Sequence, residues 1–221
     1  FGGDVTLRLE KTTVRAEYLV RRQQFGVADP GRLKFAVPVG GADYFLKHGA
    51  YLEIERALKA FPVADVRPKI THCTLINDDL VRRIRQVGAV PMPFTTYAYY
   101  NADKFHFYGE DLMRRSMAYR SFIDAGIKAA AGSDFSPGPF SPLMGIQGMV
   151  TRTGWNGEKW GLNQRVTVAE ALEINTLNGA HASHEEGIKG SITAGKLADF
   201  VILAQDPHKI SADSIKDIKI V

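Results

Sequence analysis

The sequence predicts an α/β protein with a parallel sheet, and three observations predict it. Short apolar or β-branched runs stand at residues 69–75, 89–94 and 127–131. Between the first two, residues 78–87 carry Leu80, Val81, Ile84 and Val87 at i, i+1, i+4 and i+7, a helical spacing. Between the second and third, residues 112–125 read as a helix closed by Gly126. Strands alternating with helices in this way are the pattern of βα units, whose strands run parallel.

The flanking elements are read from the same signals. Residues 5–9 alternate like a strand, and residues 12–24 predict a basic helix. Asp29-Pro30-Gly31 is a turn signal; residues 32–39 form an apolar run of the buried-strand type, ended by Gly40-Gly41. Residues 44–61 place Leu46, Leu52, Ile54, Leu58 and Phe61 among charges, which predicts an amphipathic helix broken by Pro62 and Pro68. After the third apolar run comes a Pro/Gly-rich loop at 135–142, then a predicted helix over 143–151. Thr167 and Glu170 have the spacing of a capping box, which opens a helix over 167–177. Residues 201–203 predict a last strand. No solenoid period or low-complexity tract is present.

The 221 residues are 45% hydrophobic and 24% charged, an ordinary globular composition that excludes a disordered or collagen-like chain. The length suits one large domain, or one with a small appendage. A single cysteine, Cys73, cannot form an internal disulfide, which favours a reducing, cytoplasmic setting. No apolar run approaches the ~20 residues of a membrane span, and no signal-peptide pattern stands at Phe1. The net charge of +4 is scattered, so no nucleic-acid partner is expected.

The chemistry-bearing residues are few. His72 lies near the end of the first predicted strand, and Asp134 follows the third in Gly132-Ser133-Asp134. Ligands gather at the carboxyl ends of parallel strands. An imidazole and a carboxylate there suit Zn²⁺ or a similar ion, and the carboxylate can act as a base toward activated water. The plain alternative is a satisfied strand histidine and a turn aspartate. His181 and His184 share a helix face but lack a third ligand nearby, and Cys73, adjacent to His72, is expected on the opposite face of its strand. Phe94, Tyr97, Tyr99 and Tyr100 are either pocket wall or core, and Asn101, His106 and Arg152 are polar candidates for substrate contact. No phosphate-binding glycine loop and no Gly-x-Ser-x-Gly elbow is present.

Several segments together resemble one family. Ile70-Thr71-His72-Cys73-Thr74-Leu75-Ile76-Asn77, Ala131-Gly132-Ser133-Asp134-Phe135-Ser136-Pro137, Met149-Val150-Thr151-Arg152 and Gln164-Arg165-Val166-Thr167 follow in order. Then come Thr176-Leu177-Asn178-Gly179-Ala180, Lys189-Gly190-Ser191-Ile192 and the closing run from Gly195 to Leu203. Over roughly 69–207 this resembles the C-terminal part of a metal-dependent amidohydrolase, of the branch that includes N-substituted formamide deformylase-like proteins.

The resemblance implies a partial (β/α)8 TIM-like barrel over 1–190 and, over 191–221, strands returning to a small composite β-sandwich. It implies hydrolysis of a non-peptide C–N bond in a small amide or N-formyl compound, with one or two divalent metal ions, usually zinc. His72 would be a metal ligand. Asp134 would bind metal, take a proton from the attacking water and pass it to the leaving nitrogen. Lys34 would stand where the family often has a bridging lysine. The sequence departs from the family in containing no His-x-His, in lacking a clean strand-five histidine (His48 stands in a different context), and in having Thr71 where Glu is common. The chain is therefore expected to be a C-terminal piece whose activity belongs to a longer protein; the alternative is a non-catalytic protein of the same fold. A homodimer would be unsurprising.

Overall fold

A computed structural model describes the strand backbones of residues 2–9, 12–24 and 44–54, and residues 65–136 and 138–221. Phe1–Ala64 and Asp65–Val221 are separate compact units.

In the first unit, Gly2–Leu9 (β1), Thr12–Gln24 (β2) and Tyr44–Ile54 (β3) form an antiparallel sheet in the order β1-β2-β3. The helices expected over 12–24 and the first part of 44–61 are thus strands. The reason is visible in the period. Val14, Ala16, Tyr18 and Val20 recur every second residue, and so do Ala50, Leu52 and Ile54. The register sets Val14 opposite Ile54, Ala16 opposite Leu52 and Tyr18 opposite Ala50. Thr12, Thr13, Val14 and Val20 are β-branched and favour the extended chain. Lys34 and the expected turn and strand over 29–41 lie outside the described residues.

The second unit begins with the predicted βα alternation. Lys69–His72 (β4) pairs in parallel with Val90–Pro93 (β5), Lys69 opposite Val90 and His72 opposite Pro93. Between them runs Asp78–Gln86 (α1). Its N-cap Asn77 accepts a hydrogen bond from the Leu80 N–H at 2.8 Å. Asp78 and Asp79 in the first turn, with Arg83 and Arg85 in the last, complement the helix dipole.

The run at 127–131 does not form a regular strand, although it lies parallel to β5. Ala130 N–H donates to Pro91 O at 3.0 Å and Gly132 N–H to Pro93 O at 3.1 Å. Pro91 and Pro93 make no return bond because they have no N–H; the first return bond comes beyond them, from Thr95 N–H to Gly132 O at 2.9 Å. The buried Tyr119 hydroxyl lies at this gap, with its one proton directed at Pro93 O at 2.6 Å and Ala130 O at 3.3 Å. The prolines of β5 thus accept on this side but cannot donate.

The helix expected over 112–125 is two short ones. Tyr97–Tyr100 (α2) and Glu110–Met113 (α3) precede Tyr119–Asp124 (α4). The chain between α3 and α4 turns back to bond the segment after β4: Met117 N–H donates to Thr74 O at 2.8 Å. Pro142–Thr151 (α5) is capped by Ser141 and approaches α2 closely, since a Cβ at Gly148 would fall 3.3 Å from both Ala98 Cβ and Tyr99 N. Val168–Asn175 (α6) carries the predicted capping box, with Thr167 and Glu170 bonding each other's backbone N–H. Leu177–Ala182 (α7) follows. Tyr119, Phe122, Ile146, Met149, Ala171, Ile174 and Ile215 pack together as the main core.

Residues 191–221, expected to be sandwich strands, carry one antiparallel bridge between Leu203 and Ile220 and a 3-10 turn, Ala212–Asp217, and belong to the second unit. No helix among the described residues is long and apolar enough to cross a membrane.

At the entry to β4, Arg67 ties the chain to the turn after α7. Its Nη1 reaches Glu186 Oε1 at 2.6 Å and the carbonyl of His181 at 2.7 Å, and Nη2 pairs with Asp65. Glu186's own backbone N–H, and then Arg67, hold its carboxyl down to about 2 from an ordinary 4.5. A depressed carboxyl favours the folded state above its unfolded pKa and loses that contribution as pH falls through the folded value. Glu186→Gln is therefore expected to be less stable than wild type at neutral pH. Denaturation at a series of pH values should show the gap constant above pH 4.5 and closing toward pH 2.

Candidate functional site

His72 ends β4 and Asp134 lies two residues beyond the Gly132 pairing, so both occupy the carboxyl edge of the three parallel segments. Two rings stand between them. The His72 imidazole meets Phe94 edge-on at a centroid distance of 4.4 Å, and Phe94 meets Tyr97 edge-on at 5.2 Å. The Tyr97 hydroxyl donates to an Asp134 carboxylate oxygen. The sequence-predicted pair is thus linked through an aromatic bridge whose members the sequence offered only as wall or core.

The backbone at both residues is unusual. His72 has φ 66°, Cys73 36° and Asp134 57°, all in the left-handed region that non-glycine residues seldom adopt. Such strain costs roughly 1–3 kcal/mol per residue and collects at functional sites. Around Asp134 it is held by local bonds: Gly138 N–H donates to the Asp134 carbonyl at 2.6 Å, and Phe135 N–H to Ser133 Oγ at 3.3 Å.

Gly132 has a specific task. A Cβ there would lie 3.0 Å from Phe94 Cδ1 and 3.3 Å from Met92 O. Its absence lets the Phe94 ring lie against this segment while also meeting His72.

Burial, with the Asp134 hydrogen bond and charge adding to it, pushes the Tyr97 phenol up to about 12, so it remains a donor at neutral pH. Burial likewise raises the Cys73 thiol to about 11. Cys73 packs against the main core and is no thiolate nucleophile. His181 lies away from this edge, 3.3 Å from Glu186 beside Arg67, and burial followed by the nearby Arg67 and Lys128 charges lowers its pKa. Arg152 is buried and structural: its guanidinium donates to Trp160 O at 3.0 Å and Met113 O at 3.3 Å. Asn101 accepts from Lys104, and the His106 ring lies against Phe107.

The donor chemistry suits a divalent first-row cation in part. The His72 ring nitrogens have no hydrogen-bond partner among the described residues, and Asp134 adds a carboxylate. No cluster of three or more His, Cys, Asp or Glu that could hold a metal occurs among the described residues. A catalytic site usually has three protein ligands, so a metal site here would need at least one more donor from outside them.

A cavity of about 210 Å³ opens beside Ser133, between the Thr95–Thr96 turn after β5, the N-terminus of α5 and the end of α6.

A family profile described as "Amidohydrolase family" matches residues 46–221. The chain belongs to this family. The Bacillus subtilis protein YtcJ is 28% identical over 169 residues, 73% of this chain and 31% of its own length. N-substituted formamide deformylase of Arthrobacter pascens is 33% identical over 102 residues, 46% of this chain and 19% of its own. Among solved structures, an uncharacterized metal-dependent hydrolase from Pyrococcus horikoshii superposes with a TM-score of 0.58 at 19% identity, over 72% of this chain and 33% of that one. That likeness shows a shared fold. The chain spans about a third or less of the length of these curated relatives.

Gly132→Ala is expected to destabilise the second unit by about 1–3 kcal/mol through overpacking against Phe94, read by chemical denaturation. The same variant should alter the His72 ring resonances, because its stacking partner is displaced; unchanged resonances would remove Gly132 from the site.

Proposed function

We propose that this chain supplies part of the active site of a metal-dependent amidohydrolase that cleaves a non-peptide C–N bond, of amide or N-formyl type, in a small molecule. The reading rests on one observation: His72 and Asp134 share the carboxyl edge of the parallel segments, each on left-handed backbone. The finer architecture follows the same reading. β4, β5 and the run at 127–131 are consecutive members of an eight-stranded barrel, and the remaining ligands belong to the rest of that barrel.

A divalent cation of the zinc type, when bound, would polarise the substrate carbonyl and bring water toward a neutral pKa. His72 and Asp134 are the described residues that would hold it. The chain's own residues then divide the work. The Asp134 carboxylate accepts the proton of the attacking water as the C–O bond forms. It returns that proton to the nitrogen as the C–N bond breaks, which avoids expelling an amide anion. Tyr97, protonated at neutral pH, donates to the carboxylate and orients it. Phe94 supports the His72 ring from one side.

In the full-length protein, Asp134→Asn should lower kcat by about 10²–10⁴-fold, the usual share of a general acid–base group, while leaving the circular dichroism spectrum unchanged. With wild-type protein in heavy-oxygen water, the carboxylic product should carry the label. An unlabelled product would exclude hydrolysis, and full activity in the Asn variant would move the proton carrier elsewhere.

A further inference from the structure

The cavity lined by Ser133, the residue before Asp134, deepens the reading above, on which this inference rests, because its lining discriminates between chemical classes of substrate. Thr95, Thr96, Ser133, Ser141 and Asn175 supply its polar atoms, and Phe140 stands at its side. Among the described residues, no acidic, basic or histidine side chain lines it. At the ~30 Å³ that a water occupies in the liquid, the space suits about seven atoms of that size.

The hydrogen bonds already made fix what each group can still offer. Thr95 Oγ1 donates to Gly132 O at 3.2 Å, and Thr96 Oγ1 to Ser133 O at 3.3 Å, which leaves both oxygens as acceptors. Ser133 Oγ accepts from Phe135 N–H at 3.3 Å and Ser141 Oγ from Met144 N–H at 3.3 Å, so both hydroxyl protons remain to be donated. Asn175 Nδ2 donates to Ala171 O at 2.8 Å, which leaves Oδ1 to accept. At the N-terminus of α5, Pro142 has no N–H and the Met144 N–H is taken by Ser141, which leaves the Leu143 N–H as one further donor.

Hydroxyl donors, an amide acceptor and hydroxyl acceptors meet here with no compensating charge. Among the residues that line the cavity, a carboxylate or phosphate would find no cation to replace its hydration and would face the three acceptor oxygens, and an ammonium would find no carboxylate. A neutral group that both accepts and donates would satisfy both sets at once. We propose that the cavity receives a small uncharged hydrogen-bonding group of the substrate, of the primary carboxamide or ureido class, and so places the scissile bond near Asp134. Phe135 and Phe140, both largely exposed and edge-on at 5.6 Å, leave room outside for an apolar remainder of the substrate.

The test is a protein-observed NMR titration of the full chain, without added metal, using acetamide, acetate and methylammonium as probes. Acetamide should bind in the millimolar range expected of so small a ligand. It should shift the backbone amides of Thr95, Thr96 and Ser133, with acetate and methylammonium at least about tenfold weaker. Asn175→Leu, which removes the acceptor and fills the space, should weaken acetamide at least about fivefold. Ser133→Ala, which removes a donor with little change in volume, should weaken it by about two- to fivefold. Acetate binding as well as acetamide, no shift at these amides, or acetamide binding unchanged in both variants would overturn the proposal. None of these readouts needs turnover. Persistent hydrolysis in Asp134→Asn with the acetamide preference intact would overturn the assigned reaction alone. Loss of the preference in a protein whose hydrolysis depends on Asp134 would overturn the cavity assignment alone.

Discussion

Two backbone carbonyls, those of Pro91 and Pro93, hold the carboxyl edge of this protein together. They accept from Ala130 and Gly132 and so fix the third parallel segment against β5. The prolines cannot donate in return, which leaves a half-made ladder in the interior. The Tyr119 hydroxyl lies at this gap, directed at Pro93 O and Ala130 O. With this pairing in place, Gly132 lies against Phe94, and Asp134 emerges two residues later within reach of Tyr97. Without it, neither the aromatic bridge nor the carboxylate would have a defined position relative to His72.

The two edges of the parallel segments are chemically different. At the carboxyl edge, strained backbone presents an imidazole with no hydrogen-bond partner among the described residues and a carboxylate that accepts from one phenol. At the opposite edge, Arg67 satisfies Asp65, Glu186 and a backbone carbonyl together. The first arrangement leaves donors available to a ligand; the second uses them for cohesion. Such a division matches the general rule that parallel α/β folds place chemistry at strand carboxyl ends.

Much of the second unit was legible because its signals are local. The Thr167–Glu170 pair marks a helix start by hydrogen bonds within a few residues, and that cap forms as the sequence indicates. The positions of His72 and Asp134 at strand ends were legible for the same reason. The helices expected over 12–24 and 44–61 were misread because Leu46, Leu52 and Ile54 fit both periods when taken sparsely. Only the pairing partner, chosen by the register with β2, decides between them. The roles of Tyr97, Tyr119 and Gly132 could not be read from local pattern: each depends on a contact between residues distant in sequence. The two prolines of β5 were the one available hint that a neighbouring ladder would lack return bonds there.

Family membership covers residues 46–221, but the site described here has only two suitable donors among the described residues. The account therefore turns on whether those two bind one ion. Crystals of the full-length protein containing a divalent transition metal, measured at that metal's absorption edge, give the direct answer. The account predicts an anomalous peak about 2.0–2.2 Å from both a His72 ring nitrogen and an Asp134 carboxylate oxygen. A peak coordinated elsewhere, with positions 72 and 134 both unliganded, would contradict it.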